Sequence, residues 1–338
     1  MRRVIAETQW RAGLIALGAT CIASAGRAEQ PDWLVISPDL DRKLEIEEGS
    51  PDIAGERSGE WIDEGFGYVE LEWHSHIRIK TRSKVVHTQR MVRLFVTNAG
   101  AQQAGTFEIL VKTSRSKLFI DRAYLLLPGG LRRGVDPKSI QITDPQEPNL
   151  FTDVKNVSVP MSGIVPGSIA YIEFRIERAI DEDPLPWSSL STLQTSVPIL
   201  SNEIIVENDR AADWYAWKTN DPELVCESDS DGRLIRRRSE TAAVKADPAV
   251  RSYYDIIPHL IVAERVSWAD YAARVGRLVE SKLDVSEAMT ETIERIRSEF
   301  ASPEERAEEV YRIVANQVRY LGFEHGDSAV VPHAASLT

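Results

Sequence analysis

The residues of this 338-residue chain whose types and spacing could do chemistry are few. His74 and His76 fall on one side of an alternating run beside Glu70 and Glu72, a spacing that could serve a metal ion. No third ligand is identifiable, and a half-solvated polar strand face accounts for the pattern equally well. Glu227-x-Asp229-x-Asp231-Gly232 mimics the first half of a calcium loop. Its twelfth position is Arg238, where a bidentate Glu is required, so the stretch reads as a hairpin turn at Asp231-Gly232. Asp181, Glu182 and Asp183 are adjacent in a loop and diverge, so they cannot flank one bond for acid–base work. Trp214, Tyr215 and Trp217 could stack on a sugar, yet Trp214 and Trp217 do not share a strand face, and ordinary sheet packing explains them. His325 and His333 lie in a terminal loop with no partner to name. The sequence has no phosphate-binding glycine loop, no Gly-x-Ser-x-Gly elbow and no His-Glu-x-x-His.

The elements that would position these groups are mainly strands. From Tyr68 to about Ile261 the pattern has period two: Val69, Leu71, Trp73, Ser75, Ile77 and Ile79 alternate with Glu70, Glu72, His74, His76, Arg78 and Lys80. Phe107, Ile109 and Val111 repeat it, as do Ala170, Ile172, Phe174 and Ile176 opposite Tyr171, Glu173, Arg175 and Glu177. Turn formers punctuate the run at Asn98-Ala99-Gly100, Pro128-Gly129-Gly130, Asp144-Pro145, Pro166-Gly167 and Asp183-Pro184. One polar and one apolar face per strand predicts antiparallel sheets packed as a sandwich. Before this run, residues 29–67 read as an acidic, loosely structured lead-in with one short strand around Leu34 to Ile36.

Near Ser267 the period changes. Ser267 and Asp270 form a capping pattern, and Trp268, Tyr271, Val275 and Leu278 follow at helical spacing. Met289, Ile293, Ile296 and Phe300 make a second stripe. Ser302-Pro303-Glu304-Glu305 supplies an N-cap, a first-turn proline and a reciprocal carboxylate for a helix from Pro303 to about Arg319. The expected division is therefore 1–28 signal peptide, 29–67 lead-in, 68–265 β-rich domain, and 266–338 the helical start of a second, incomplete domain. Helices left without a complete core should expose their apolar faces, which predicts partial disorder after about Ser281 or self-association there.

Composition narrows the function class. At 43% hydrophobic and 27% charged the chain is globular, and its formal charge of −12 with no basic patch argues against nucleic-acid binding. Arg2, Arg3 and Arg11 precede an apolar run from Ala12 to Ala23, and small residues lead to Ala28. That order predicts a secretory signal cleaved after Ala28, and hence a periplasmic or secreted protein with no transmembrane span in the mature chain. Cleavage would leave Cys226 as the single cysteine, so an ordinary apolar core and not a disulfide must hold the fold. No cofactor is called for.

The stretch from Val310 to Glu324, Val-Tyr-Arg-Ile-Val-Ala-Asn-Gln-Val-Arg-Tyr-Leu-Gly-Phe-Glu, resembles the segment that opens the core of bacterial transglutaminase-like proteins. Upstream, Ala123–Gly130, Val165–Phe174, Gln194–Pro198 and Val266–Tyr271 resemble the β-rich domain of unknown function that precedes that core in exported members. The resemblance implies an α+β, papain-like core with a Cys-His-Asp triad, and its spacing places the nucleophile beyond Thr338. Cys226 lies far from the helix the family uses, so no catalytic residue is carried over. Tyr320, Gly322 and Glu324 would line the mouth of the cleft. The expectation is an exported, non-catalytic binding or accessory module whose partner is a protein, peptide or polysaccharide of the cell envelope. Two alternatives are the front part of a cysteine-dependent protease, amidase or transglutaminase, and an independent envelope polysaccharide- or peptide-binding module.

Overall fold

The computed structural model describes residues 30–42, 50–80, 84–144, 153–180, 185–209, 214–221, 227–228, 233–244 and 256–317. In chain order its elements begin with β1 (Leu34–Ile36), α1 (Ser50–Asp63), β2 (Tyr68–Lys80), β3 (Lys84–Phe95) and α2 (Asn98–Ala104). There follow β4 (Thr106–Lys112), β5 (Ser116–Leu126), β6 (Arg132–Gly134), β7 (Gln141–Thr143), β8 (Val154–Pro160) and β9 (Ile169–Ala179). The β-rich part closes with β10 (Ser188–Thr192), β11 (Ile199–Asn208), β12 (Tyr215–Thr219), β13 (Glu227–Ser228), β14 (Leu234–Thr241) and β15 (His259–Glu264). Three helices end it: α3 (Trp268–Glu280), α4 (Glu287–Glu299) and α5 (Pro303–Gln317).

Alternation of apolar and polar residues gives each long strand one face to bury, and a nine-stranded sheet collects those faces in the order β1-β5-β9-β3-β2-β11-β14-β13, with β6 on β5. Most pairings are antiparallel, as the alternation predicts. The β1–β5 and β2–β11 pairs are parallel, so the sheet is mixed. Two three-stranded sheets cap one face of it. The β4-β8-β7 sheet brings Phe107, Ile109, Val111, Val157 and Val159 onto Leu118, Ile120, Ala170 and Ile172. The β10-β15-β12 sheet brings Leu260 and Val262 onto Ile77, Ile79, Ile204 and Val206. On the opposite face only one end is covered, where Trp61 of α1 packs on Val69, Leu71, Val92, Leu94 and Tyr171.

Three local readings change. The first concerns β2, where the register shifts between Glu70 and Glu72, so Leu71 forms a β-bulge. Glu70 lies opposite Arg93 and Glu72 opposite Val92; these two are neighbours on β3 and point to opposite faces. Glu70 is therefore on the capped face and Glu72 on the open one, and the uninterrupted alternation read from the sequence is broken there. Second, Asn98-Ala99-Gly100 opens a helix and not a tight turn. Thr97 caps it, its Oγ1 accepting from the Gly100 N–H at 3.0 Å. Third, α1 occupies part of the region read as a loose lead-in; Trp61, 1% exposed, anchors it without any sustained periodicity.

The terminal helices carry the capping chemistry read from the sequence. Ser267 Oγ accepts from the Asp270 N–H at 3.1 Å. Ser302 Oγ accepts from the Glu305 N–H at 3.2 Å, while the Ser302 N–H donates to the Glu305 carboxylate at 3.1 Å. These helices contribute little to the core: α3 buries no residue and Trp268 is 86% exposed. Met289, Ile293, Val310, Tyr311 and Val314 are exposed as well. Arg274 of α3 grips Glu264 at the end of β15 at 2.8 Å.

Candidate functional surface

The bulge sorts the acidic and basic residues of β2 and β3 into two systems. On the capped face Arg93 donates from Nε and Nη2 to Glu70 Oε1 at 2.8 and 2.6 Å, and from Nη1 to the Ala104 carbonyl at 2.6 Å. Its guanidinium lies 4.4 Å from the Phe107 ring centroid and 4.9 Å from that of Tyr68. Burial pushes the Glu70 carboxyl up, and the Arg93 charge and hydrogen bonds pull against that. This is an internal clamp joining α2, β3 and β4.

The open face carries a ladder of ionic groups across six strands. Arg122 of β5 meets Glu173 of β9 at 3.6 Å, and Arg175 lies over the Phe119 ring at 4.0 Å. Arg90 reaches Glu72 at 2.7 Å and donates to His74 Nδ1 at 2.9 Å. His74 Nε2 sits 2.9 Å from Ser201 Oγ on β11. Farther along, Arg78 donates to Glu207 at 2.7 Å, and Arg233 approaches the same carboxylate at 3.6 Å. His76 Nε2 lies 3.2 Å from the same carboxylate. Burial alone would raise the Glu207 carboxyl; the hydrogen bond from Arg78 and the charges of His76 and Arg78 outweigh it and hold the group below the usual range. Glu203 and Arg237 continue the ladder onto β14.

His74, Ser201 and the carboxylate of Glu72 look at first like a hydrolytic triad. The hydrogen-bond polarity is reversed. An arginine can only donate, so His74 Nδ1 must be the lone-pair nitrogen and Nε2 must carry the proton. That proton is donated to Ser201 Oγ, whereas activation of a serine requires the imidazole to accept from it. The arrangement fixes a polar face and does not generate a nucleophile. The metal reading fails for a related reason: both His74 nitrogens are engaged, Glu70 is on the other side of the sheet, and among the described residues no three ligating groups cluster.

Beside the ladder Tyr171 stacks on Tyr124 with centroids 4.7 Å apart. Its hydroxyl is buried without a partner, and burial, with Tyr124 and Glu72 nearby, pushes its pKa up. His87, on the capped face opposite Ile77 and Ile176, was singled out by no sequence pattern. Its Nε2 is shut off from water without a partner, and burial, with the nearby His76 charge adding to it, lowers its pKa to about 4.

Arg90, Ser201, Glu203 and Glu207 escaped the sequence reading because no local spacing marks them: His74 and Ser201 are 127 residues apart. Of the aromatic trio, Trp214 stacks on Trp187 at 6.1 Å and Trp217 covers the Arg236 guanidinium at 4.4 Å, so neither forms a free platform. Ala28, Asp181, Glu182, Asp183, Cys226, Asp229, Asp231, Tyr320, Gly322, Glu324, His325 and His333 lie outside the described residues.

A family model described as a domain of unknown function with a solved structure (DUF3857) matches residues 81–254, which spans β3 to β14. No curated protein matches the chain. Among solved structures, a protein from Parabacteroides distasonis ATCC 8503 named as a "putative protease" superposes with a TM-score of 0.63 at 12% identity. The superposition covers 80% of this chain and 54% of that one, so the chain spans about half the length of the solved protein it matches. At that identity the likeness establishes a shared fold.

Proposed function

Because the chain belongs to the DUF3857 family, we propose that its β-rich part is a non-catalytic accessory module that binds a partner through the open face of the large sheet. The partner is a protein, peptide or polysaccharide of the cell envelope. The observation that carries this is the state of that face: a six-strand ladder of ionic groups, held in place by hydrogen bonds yet solvent-accessible, with Arg237 at 64% and Arg78 at 42% exposure. A preorganised polar surface on rigid strands suits recognition, and the reversed His74–Ser201 polarity argues against hydrolysis there.

The larger context is a transglutaminase-like, cysteine-dependent enzyme, exported to the periplasm or secreted. Three things support it: the Val310–Glu324 resemblance, the shared fold with a protein named as a protease, and the Arg-then-apolar order that ends at Ala28. Among the described residues no helix is long and apolar enough to cross a membrane. In this reading the division is lead-in, β-rich module from Tyr68 to Arg265, and helical beginning of the core from Val266.

The purified chain is to be assayed for thiol-dependent amidase, protease and transamidase activity, and titrated with envelope-derived peptides and glycans. Saturable binding that Arg237→Glu or Arg78→Glu weakens, without turnover, is the expected result. Iodoacetamide-sensitive turnover by this chain would refute the non-catalytic reading.

A further inference from the structure

At one end of the large sheet, the strand termini form an open cleft of about 510 Å³. The chain turns away before β1, where the Leu34 N–H donates to the Pro31 carbonyl at 3.0 Å, so the start of β5 pairs with β9 on one side and lies beyond the β1 pairing on the other. Trp33 forms one wall. The turn between β4 and β5 forms another, and the starts of β3 and β5 with the end of β9 supply the floor.

The walls are fixed. The Leu118 N–H donates to the Trp33 carbonyl at 2.8 Å, and the Ala179 N–H to the Arg115 carbonyl at 3.0 Å. Thr113 donates from both its N–H and its hydroxyl to the Asp153 carbonyl, at 3.0 and 2.9 Å, and Ser114 Oγ donates to the Asp153 carboxylate. Asp153 thereby holds the turn.

Lys84 at the start of β3, Arg115 in the β4–β5 turn and Lys117 at the start of β5 line this cleft. The carboxylate of Glu177 is already shared by Lys84 and Arg175, which leaves Asp32 as the other acid on the lining. Lys80 sits directly opposite Lys84 in the β2–β3 register, and the Glu177 carboxylate on Lys84 offsets that like-charge pair. On a chain of net charge −12, this end of the sheet collects cations around a concavity walled by a tryptophan.

We infer that this cleft binds a small ligand through an oxyanion, a phosphate ester or a sugar carboxylate, held by Arg115 and Lys117 with Trp33 against its body. The site adjoins the end of the ladder through the Glu177–Arg175 contact, and its ligand binding is tested independently of whether that face docks a partner.

The test titrates the full chain at low salt with inorganic phosphate, D-glucuronate and D-glucose by calorimetry. An oxyanion should bind and glucose should not; phosphate alone would assign a phosphate ester, glucuronate alone a carboxylated sugar. Losing one charge-assisted contact in Lys117→Glu should weaken binding about tenfold or more, while Lys117→Arg keeps it. Lys117 is exposed, so its substitution spares the fold, and Arg115→Gln provides an independent second variant. The inference is overturned if neither anion binds, if glucose binds equally, or if both charge-removing variants bind as the parent does.

Discussion

His87 should make this protein acid-sensitive in a window where carboxylates are still ionised. Its imidazole titrates at about 4 in the folded chain, against 6.5 for a free histidine. Between those values the unfolded chain binds more protons than the folded one, so stability falls as pH falls. Integrating one site with those two constants gives a loss of about 2 kcal/mol from pH 7 to pH 5, and about 3 kcal/mol by pH 4. His87→Leu removes the titrating group from a position flanked by Ile77 and Ile176. Urea unfolding of both proteins at pH 7, 6 and 5 isolates the His87 contribution as the difference between their pH slopes. From pH 7 to pH 5 the parent should lose about 2 kcal/mol more than the variant does. Parallel pH dependence would mean that the buried Nε2 does not resist protonation, and the account of that side of the sheet would fall with it.

Further expectations follow from the same packing. Arg93→Leu leaves the buried Glu70 without its cation and should cost about 3–5 kcal/mol by urea unfolding, whereas the double change Glu70→Leu with Arg93→Leu should recover most of it. Tyr171→Phe removes a buried hydroxyl that has no partner and should leave the melting temperature unchanged or raised; a loss above about 1 kcal/mol would point to a hidden hydrogen bond. Gly100→Ala places a Cβ 1.8 Å from the Gly67 carbonyl oxygen, a backbone collision that should cost about 3 kcal/mol in thermal melts; an unchanged melt would refute the close approach.

What could be read from the chain differs by element for physical reasons. The run Ala170 to Glu177 lies on a regular central strand, and its alternation maps directly onto buried and ladder-bearing faces. The run through β2 misled, because a bulge at Leu71 costs one residue of phase and leaves no mark in hydrophobicity. Helices α3 and α5 were legible from Ser267 and Ser302, since a cap is local chemistry. Helix α1 was not, because among its described side chains Trp61 alone is buried and no stripe repeats at helical spacing. The candidate surface was half visible. His74, His76 and Glu72 are close in sequence, whereas Arg90 and Ser201 arrive through strand pairing, which no window of ten residues contains.

The parallel pairing of β2 with β11 bears on how the chain reaches this state. Glu70 waits for Ile199, and Asn208 must find Ile79, before the middle of the sheet is whole. During synthesis the β2–β3 hairpin emerges early, and β9 and β5 can zip onto its β3 side, but its β2 side stays an unpaired edge while more than a hundred residues follow. Closure over so long a separation is slow, and an uncovered edge with Ile77 and Ile79 beside it invites pairing with another chain. The fold thus sets a waiting period, and whatever occupies or shields that edge meanwhile decides between a finished sheet and an aggregate.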